Sequence, residues 1–212
     1  MKRRLTGSKL LVAGAVVAVL VVGMSGCAPP QPLETPGQDH DTVSYLAEYP
    51  SYSTIADLNE RADLVVRGVV LSSELKEIEI VPQPIDEEDA RLRPDLDQHV
   101  RSYVYTVYTM KVEDCYKGCA TAGDTVEVKL SGGGTLGGVE YVSDDPKLQA
   151  NQAYVLFLET YPELTEMPAS LLNPTQAVFD SKADARGEYP GVHPDNDLRL
   201  SSAQLEELRV DG

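Results

Sequence analysis

Two cysteines in the second half of the chain are spaced so that they can react with each other. Cys115 and Cys119 are separated by Tyr116, Lys117 and Gly118. Outside the cytoplasm a disulfide between them is expected, and Gly118 eases the turn that the pairing needs. Closing so short a loop stabilises a protein by only about 2 kcal/mol. Free thiols are one alternative, and a redox or metal-binding pair is another, although redox motifs have two intervening residues rather than three.

Motifs for catalysis or metal binding are not assembled elsewhere in the sequence. The three histidines, His40, His99 and His193, do not form the His-x-x-x-His spacing of zinc hydrolases. The glycine-rich stretch after Ser131 lacks the Gly-Lys-Ser/Thr of a phosphate-binding loop, and a hairpin or rim loop is expected there. The sequence therefore predicts no catalytic residues, no metal site, no cofactor and a protein that is not an enzyme.

The charge of the chain excludes one class of partner. The formal net charge is −16, and the first 26 residues carry four basic residues and no acidic one. Removal of that segment would make the remaining chain still more acidic. Nucleic-acid binding through phosphate contacts requires a basic surface, so no nucleic-acid partner is expected.

The N-terminal segment has the organisation of an export signal. Lys2 begins a basic region, and an uninterrupted apolar run follows over Leu10–Val22. As a helix this run spans about 20 Å, which is short of the roughly 30 Å hydrocarbon core of a membrane. Residues 1–26 are therefore predicted to be a signal peptide, with an uncleaved anchor as the alternative. The pair Arg3-Arg4 leaves open export by the general secretory or the twin-arginine route.

The residues after the apolar run resemble a bacterial lipobox. The segment Val22–Cys27 places small residues, Ser25 and Gly26, before the cysteine, with Met24 where leucine is usual. The resemblance implies cleavage between Gly26 and Cys27 and a diacylglycerol group on the Cys27 sulfur, and it leaves open whether the new amine carries a fatty acid such as palmitate. Several acyl chains give stable anchoring. The protein is thus expected to be lipid-anchored on the extracytoplasmic face of the cell membrane, and an ordinary secreted protein is the alternative.

A tether separates the predicted anchor from the rest of the chain. Residues 27–42 contain four prolines, which disfavour helix and favour extended polyproline geometry. Such a segment holds a domain up to about 45 Å from its lipid. Residues 43–212 are then expected to form a β-rich extracytoplasmic domain, with a long acidic loop over residues 82–98.

Alternation of apolar and polar residues predicts a mainly β domain. In the segment Tyr103–Val112, the more apolar face carries Val104, Tyr108 and Val112 and is predicted to point inward. Gly68 within a β-branched run predicts a bulge or bend of the kind found where a sheet coils. Short helices are expected after a cap at Thr54 or Ser53 and after Ser201, the latter with a capping box to Gln204. The expected strands are 63–71, 75–81, 103–112, 126–130, 139–142, 154–159 and 176–180. A small antiparallel barrel or sandwich with one or two short helices follows.

A family resemblance supports the barrel. The runs Ala62–Val70, Tyr105–Tyr108, Tyr116–Gly118 and Asp124–Val128 resemble exported bacterial OB-like domains. They are also similar to the netrin-like modules typified by tissue inhibitors of metalloproteinases. The resemblance implies an OB-like fold. It does not imply inhibition, because the N-terminal Cys-x-Cys that would present an amine to zinc is missing after Cys27.

These features favour a binding protein over an enzyme. The leading hypothesis is a lipoprotein whose barrel binds an envelope protein or glycan. A hydrolase of envelope polymer is the first alternative, and it predicts a polar cleft with converging carboxylates or a histidine. A protease inhibitor or stress regulator and a calcium store at the acidic loop are the others.

Overall fold

The computed structural model describes residues 41–80, 100–118, 121–164 and 166–209. The chain divides into a unit of residues 1–38 and a unit of residues 39–212, and everything described lies in the second. Cys27 and nearly all of the tether, the acidic loop and Cys119 lie outside the described residues. The predictions made for them, including cleavage after Gly26, stay predictions.

Strands dominate the described part of the chain, which confirms the mainly β class. Two short helices accompany them, as expected. In chain order the elements are β1 (Thr42–Ser44), α1 (Ile55–Arg61), β2 (Leu64–Ile80), β3 (Arg101–Lys117), β4 (Thr125–Ser131), β5 (Gly134–Leu136), β6 (Val139–Val142), β7 (Ala153–Glu159), β8 (Ala169–Leu171), β9 (Val178–Asp180), β10 (Glu188–Tyr189), β11 (Leu200–Ser201) and α2 (Ser202–Glu207).

Five strands close into a barrel. The order is β2-β3-β4-β8-β7, and β7 pairs with β2 to complete the ring. All pairs are antiparallel except β4 with β8, which run parallel at Val128–Ala169 and Lys129–Ser170. A three-strand meander closed by two further strands confirms a small β barrel, with one parallel pair in place of the all-antiparallel arrangement that was expected.

β2 pairs with both β3 and β7, and its pairing with β3 contains bulges. The sequence suggested two strands, 63–71 and 75–81, but β2 continues through both because Leu71 forms an irregularity between Val70 and Ser72. A second irregularity falls at Gly68, where the expected bend is confirmed. A Cβ at Gly68 would lie 3.0 Å from the Lys111 carbonyl oxygen, so a larger residue would push β3 away by a few tenths of an ångström.

The barrel interior holds the core. Both phenylalanines of the chain, Phe157 and Phe179, are fully buried and meet edge to face with ring centroids 6.0 Å apart. The inward face predicted for β3 is confirmed, since Val104, Tyr108 and Val112 are buried. Further fully buried side chains of the core are Leu58, Val65, Val66, Val70, Met110, Leu156, Leu158 and Leu200.

Local signals fix the elements around the barrel. The Thr54 hydroxyl caps α1 by accepting the N–H of Asp57, and the Ser201–Gln204 capping box at α2 is present as predicted. The glycine-rich stretch forms the expected hairpin of β5 and β6, with Gly137 and Gly138 at positive φ in its two-residue turn. β1 adds to this hairpin in parallel with β6.

Candidate ligand-binding groove

A groove of about 670 Å³ lies on the outside of the barrel. This volume falls within the range of small-molecule and cofactor sites. Six of the eleven tyrosines line it, together with Lys129, Asp145 and Glu159. We call it the tyrosine groove, and its tyrosines are Tyr45, Tyr49, Tyr52, Tyr103, Tyr105 and Tyr161.

The bottom of the groove is the outer face of β3 and β4. Tyr105 pairs with Ser131 in the ladder, and Val107 pairs with Lys129, so these four side chains share one face. Side chains on this face of the barrel strands point away from the interior, so alternation predicts that they are exposed to solvent. Instead Val107 is 1% exposed and Lys129 is 7% exposed, because other segments cover the face.

One side of the groove is the segment Tyr45–Tyr52. A buried glutamine fixes its end: the Gln176 amide oxygen accepts the Tyr52 N–H at 2.9 Å, and its amide nitrogen donates to the Tyr52 carbonyl at 3.0 Å. The Asn173 amide donates to the Pro50 carbonyl at 2.9 Å. These bonds hold an irregular segment, which has no strand partner beyond Tyr45, in a defined place against the barrel.

Tyr45 ties this side to the bottom of the groove. Its hydroxyl accepts the N–H of Val104 at 2.9 Å, and its own N–H donates to the Val142 carbonyl at 2.9 Å. Its ring lies nearly parallel to that of Tyr141 and tilted against that of Tyr103, with both centroids 6.1 Å away. Aromatic pairs in this range stabilise beyond their buried area. These contacts fix the positions of the Tyr45, Tyr103 and Tyr141 rings relative to one another.

The opposite side is the connection from β7 to β8. The Tyr161 hydroxyl donates to the Glu159 carboxylate at 3.2 Å. Leu164 and Met167 extend this side with apolar surface. Leu164 is 46% exposed, and across the groove Leu46 is 91% exposed. Large exposed apolar side chains at the rim of a groove are typical of a contact surface.

Lys129 is the most deeply buried of the charged groups that line this groove among the described residues. Its ammonium donates to the Pro168 carbonyl at 2.8 Å and lies 4.2 Å from the centroid of the Tyr161 ring and 6.0 Å from that of Tyr105. Among the described residues, no carboxylate forms an ion pair with it. Burial lowers the pKa of Lys129 to about 8, and the negative charge of Glu159 opposes that shift. The ammonium form therefore still prevails at pH 7.

Burial also shifts the other titratable groups of the groove. It raises the pKa of Tyr105 to about 12, and the neighbouring Tyr49 adds to that shift. It raises the pKa of the Asp145 carboxyl as well, although the Ser131 N–H, 2.8 Å from the carboxylate, stabilises the ionised form. Several perturbed groups converging in one concave site mark a candidate functional site.

Of the cysteines and histidines singled out from the sequence, Cys115 and His193 are described, and neither lines this groove. Cys115 is half-buried on β3, with its sulfur 3.3 Å from the Lys117 carbonyl oxygen. Since Cys119 is outside the described residues, the disulfide stays a prediction. His193 lies in a loop, where its ring nitrogen accepts the Asp195 N–H at 3.2 Å. His99 is not described.

Two further features are absent from the described residues, a metal-binding cluster and a helix that could span a membrane. They contain no group of three or more His, Cys, Asp or Glu side chains arranged to hold a metal ion. Across the same ranges, no helix is long and apolar enough to cross a membrane.

The groove was missed at the level of sequence for a physical reason. Alternation assigns a side chain to one face of a strand but does not say whether a distant segment covers that face. Along β4, alternation with Val126, Val128 and Leu130 assigns both Lys129 and Glu127 to the solvent side. The one available signal was composition, since eleven tyrosines with no tryptophan and two phenylalanines exceed what the core uses.

Comparison with known proteins identified no relative. No protein-family profile, no curated protein and no solved structure matches this chain.

Proposed function

We propose that this chain is the precursor of an extracytoplasmic lipoprotein, anchored through Cys27, whose barrel binds a glycan without catalysing a reaction. The observation that carries the binding function is the tyrosine groove on the outer face of β3 and β4. The second and third barrel strands of OB folds, with the loops beside them, form the face that binds oligosaccharides and oligonucleotides. β3 and β4 are the second and third strands of this barrel.

The composition of the groove favours a sugar over an oligonucleotide. Tyrosine offers a flat apolar face for a sugar ring and a hydroxyl for its substituents. Ser131, Ser170, Asp145 and Glu159 stand between the tyrosines and supply further hydrogen-bonding groups. An oligonucleotide would need a basic surface, whereas the chain has a net charge of −16.

The hydrogen bonding of the strands disfavours one common mode of peptide binding. A peptide that adds as a strand requires an unpaired sheet edge. At the groove, Tyr105 of β3 lies between Lys76 of β2 and Ser131 of β4, and Lys129 of β4 lies between Val107 of β3 and Ser170 of β8. The strands under the groove therefore present side chains to a ligand rather than a free edge.

The proposal is tested by titrating envelope glycan fragments into the mature chain, residues 27–212, carrying Cys27→Ser so that no lipid is attached. Because the protein has no tryptophan, its intrinsic emission comes from tyrosine, and six of the eleven tyrosines line the groove. A ligand in the groove is expected to change this emission saturably. Tyr161→Ala and Tyr105→Ala are each expected to weaken binding about tenfold or more, since one stacked ring contributes about 1–3 kcal/mol.

The matched control is Tyr189→Ala. Tyr189 is also half-buried but packs against the core outside the groove. Its replacement should leave the affinity unchanged. Equal loss in all three variants would assign the effect to general unfolding, and saturable binding of a protein in place of any glycan would overturn the choice of ligand class.

A further inference from the structure

The Lys129 ammonium in the groove has N–H donors available for a ligand. An ammonium group has three N–H donors. One of those on Lys129 goes to the Pro168 carbonyl at 2.8 Å, and the remaining two have no acceptor among the described residues. Glu159, whose charge acts on Lys129, is also the acceptor of the Tyr161 hydroxyl.

A buried cation without an anionic partner is unusual in a protein. Side chains of this type are rarely buried as fully as Lys129 unless they are paired, because removing the charge from water is unfavourable. The rings of Tyr161 and Tyr105 stabilise the ammonium in part through their π faces. Neither ring supplies the negative charge or the acceptor atoms that would complete its environment.

The electrostatic setting of the groove differs from that of the rest of the molecule. Among the described residues, its charged lining groups are Arg61, Lys129, Asp145 and Glu159, two of each sign, whereas the chain as a whole has a net charge of −16. Asp145 is turned to the Ser131 N–H at 2.8 Å. The described lining is thus neutral, in an acidic protein, and it includes a buried cation.

We infer that the groove selects an acidic glycan and that a sugar carboxylate pairs with the Lys129 ammonium while the adjoining sugar rings stack on Tyr105 and Tyr161. This inference rests on the proposed glycan-binding function and names the class of glycan. A single positive charge with two available donors matches a monoanion with two oxygen acceptors. A ligand carboxylate would supply the ion pair that Lys129 lacks within the described residues.

The test pairs one change in the ligand with one change in the protein. The ligands are an oligogalacturonate and the same oligomer after its carboxyl groups are reduced to alcohols. The proteins are the mature chain with Cys27→Ser and the same chain with Lys129→Met, which keeps a similar apolar length without the charge. We expect the unreduced oligomer to bind about tenfold or more tightly than the reduced one, and Lys129→Met to abolish that difference.

Three further measurements make each outcome decisive. Lys111→Met is the matched control, because Lys111 is exposed on β3, and it should keep the preference. Lys129→Gln replaces the methionine variant if that variant fails to fold. A poly(glycerol phosphate) oligomer tests the other common anion, and tighter binding of it than of the uronate would overturn the choice of a carboxylate.

The failure of this inference is distinguishable from failure of the proposed function. Equal affinity for both galacturonate oligomers, unchanged by Lys129→Met but lost with Tyr161→Ala, would overturn selection by charge and leave glycan binding intact. Absence of binding to every oligomer would overturn both.

Discussion

The buried charge of Lys129 opposes folding, while the same residue is proposed to bind the ligand. The groove excludes most water from its ammonium and provides one strong hydrogen bond, to Pro168. Of the charged side chains in the described core, Lys129 alone is buried, beside the neutral Asn173, Gln176 and Asn196. A charge in such a place opposes folding unless its interactions compensate for the lost hydration. The residue proposed to bind ligand should therefore destabilise the free protein.

The stability effect of Lys129 is expected to depend on pH. The groups that face it are Tyr105 on β3, Glu159 on β7 and Tyr161 after β7. Because its pKa falls to about 8 on folding, the unfolded state binds more protons than the folded state between pH 8 and the ordinary lysine range. Its unfavourable contribution is thus fully present below pH 8 and declines as the pH rises.

Lys129→Met is accordingly expected to raise the free energy of unfolding at pH 7 by about 1 kcal/mol, after allowance for the lost bond to Pro168. Urea unfolding at pH 7 and pH 9.5 measures this gain, which should shrink at the higher pH. Lys111→Met, at an exposed position, should change little at either pH. A fall in stability at pH 7 would show that the lysine serves the fold and would weaken its assignment to a ligand.

At the scale of elements, an irregular segment forms one side of the groove and depends on side-chain bonds. Gln176 is 4% exposed and holds both the N–H and the carbonyl of Tyr52. It also donates to the Asp197 carboxylate at 2.8 Å, which connects this segment to the loop before β11. In a strand, these backbone groups would form hydrogen bonds with a neighbouring strand. Here the side-chain amide of Gln176 forms them instead.

Gln176→Leu is expected to lower the free energy of unfolding by about 1–3 kcal/mol, because it leaves the Tyr52 N–H and carbonyl buried without partners. Amide hydrogen exchange should accelerate most at Tyr52, with the barrel strands less affected. Gln152→Leu is the control, since Gln152 is exposed. Unchanged exchange at Tyr52 would contradict the role given to Gln176.

The elements themselves were largely predictable, because their signals are local. Alternation placed β3, and the Ser201–Gln204 box placed α2. Gly68 indicated the bend that lets β2 pair with two strands. The coverage of Lys129 by the segment after β7 was not predictable, because it depends on contacts between residues distant in sequence. For the same reason the parallel pairing of β4 with β8 left no pattern in either strand.

At the scale of the whole molecule, the predicted anchor can be tested by labelling. Cells expressing the full chain and supplied with radioactive palmitate should label the protein, and Cys27→Ala should abolish the label because the sulfur that carries the diacylglycerol is removed. Cys115→Ala serves as the matched control and should keep the label. Label retained in Cys27→Ala would contradict the lipobox interpretation.

Net charge is expected to govern how fast an acidic glycan arrives. A protein of net charge −16 repels such a ligand at long range, while the contact with Lys129 forms only inside the groove. Salt screens the repulsion between exposed charges more than it weakens a buried pair. Stopped-flow titration with the oligogalacturonate should therefore give an association rate constant that rises severalfold from about 0.01 M to about 0.1 M salt. A falling rate would show that local attraction dominates the approach.

β1 lies where a pulling force on the N-terminal side of the domain would act before it reaches the groove. β1 is the first described element of the chain, and it joins β6 through three residue pairs, after which Tyr45 enters the groove. A pull applied toward residue 41 is carried by those pairs before it reaches the barrel, and the next group released is Tyr45, with its bond to Val104 and its stacking on Tyr141. A ligand held against Tyr45 would oppose that peeling. With the predicted anchor at Cys27 and the proposed ligand in the groove, drag on the bound polymer and tension in the predicted tether would meet at Tyr45, and a bound ligand would raise the force needed to detach β1.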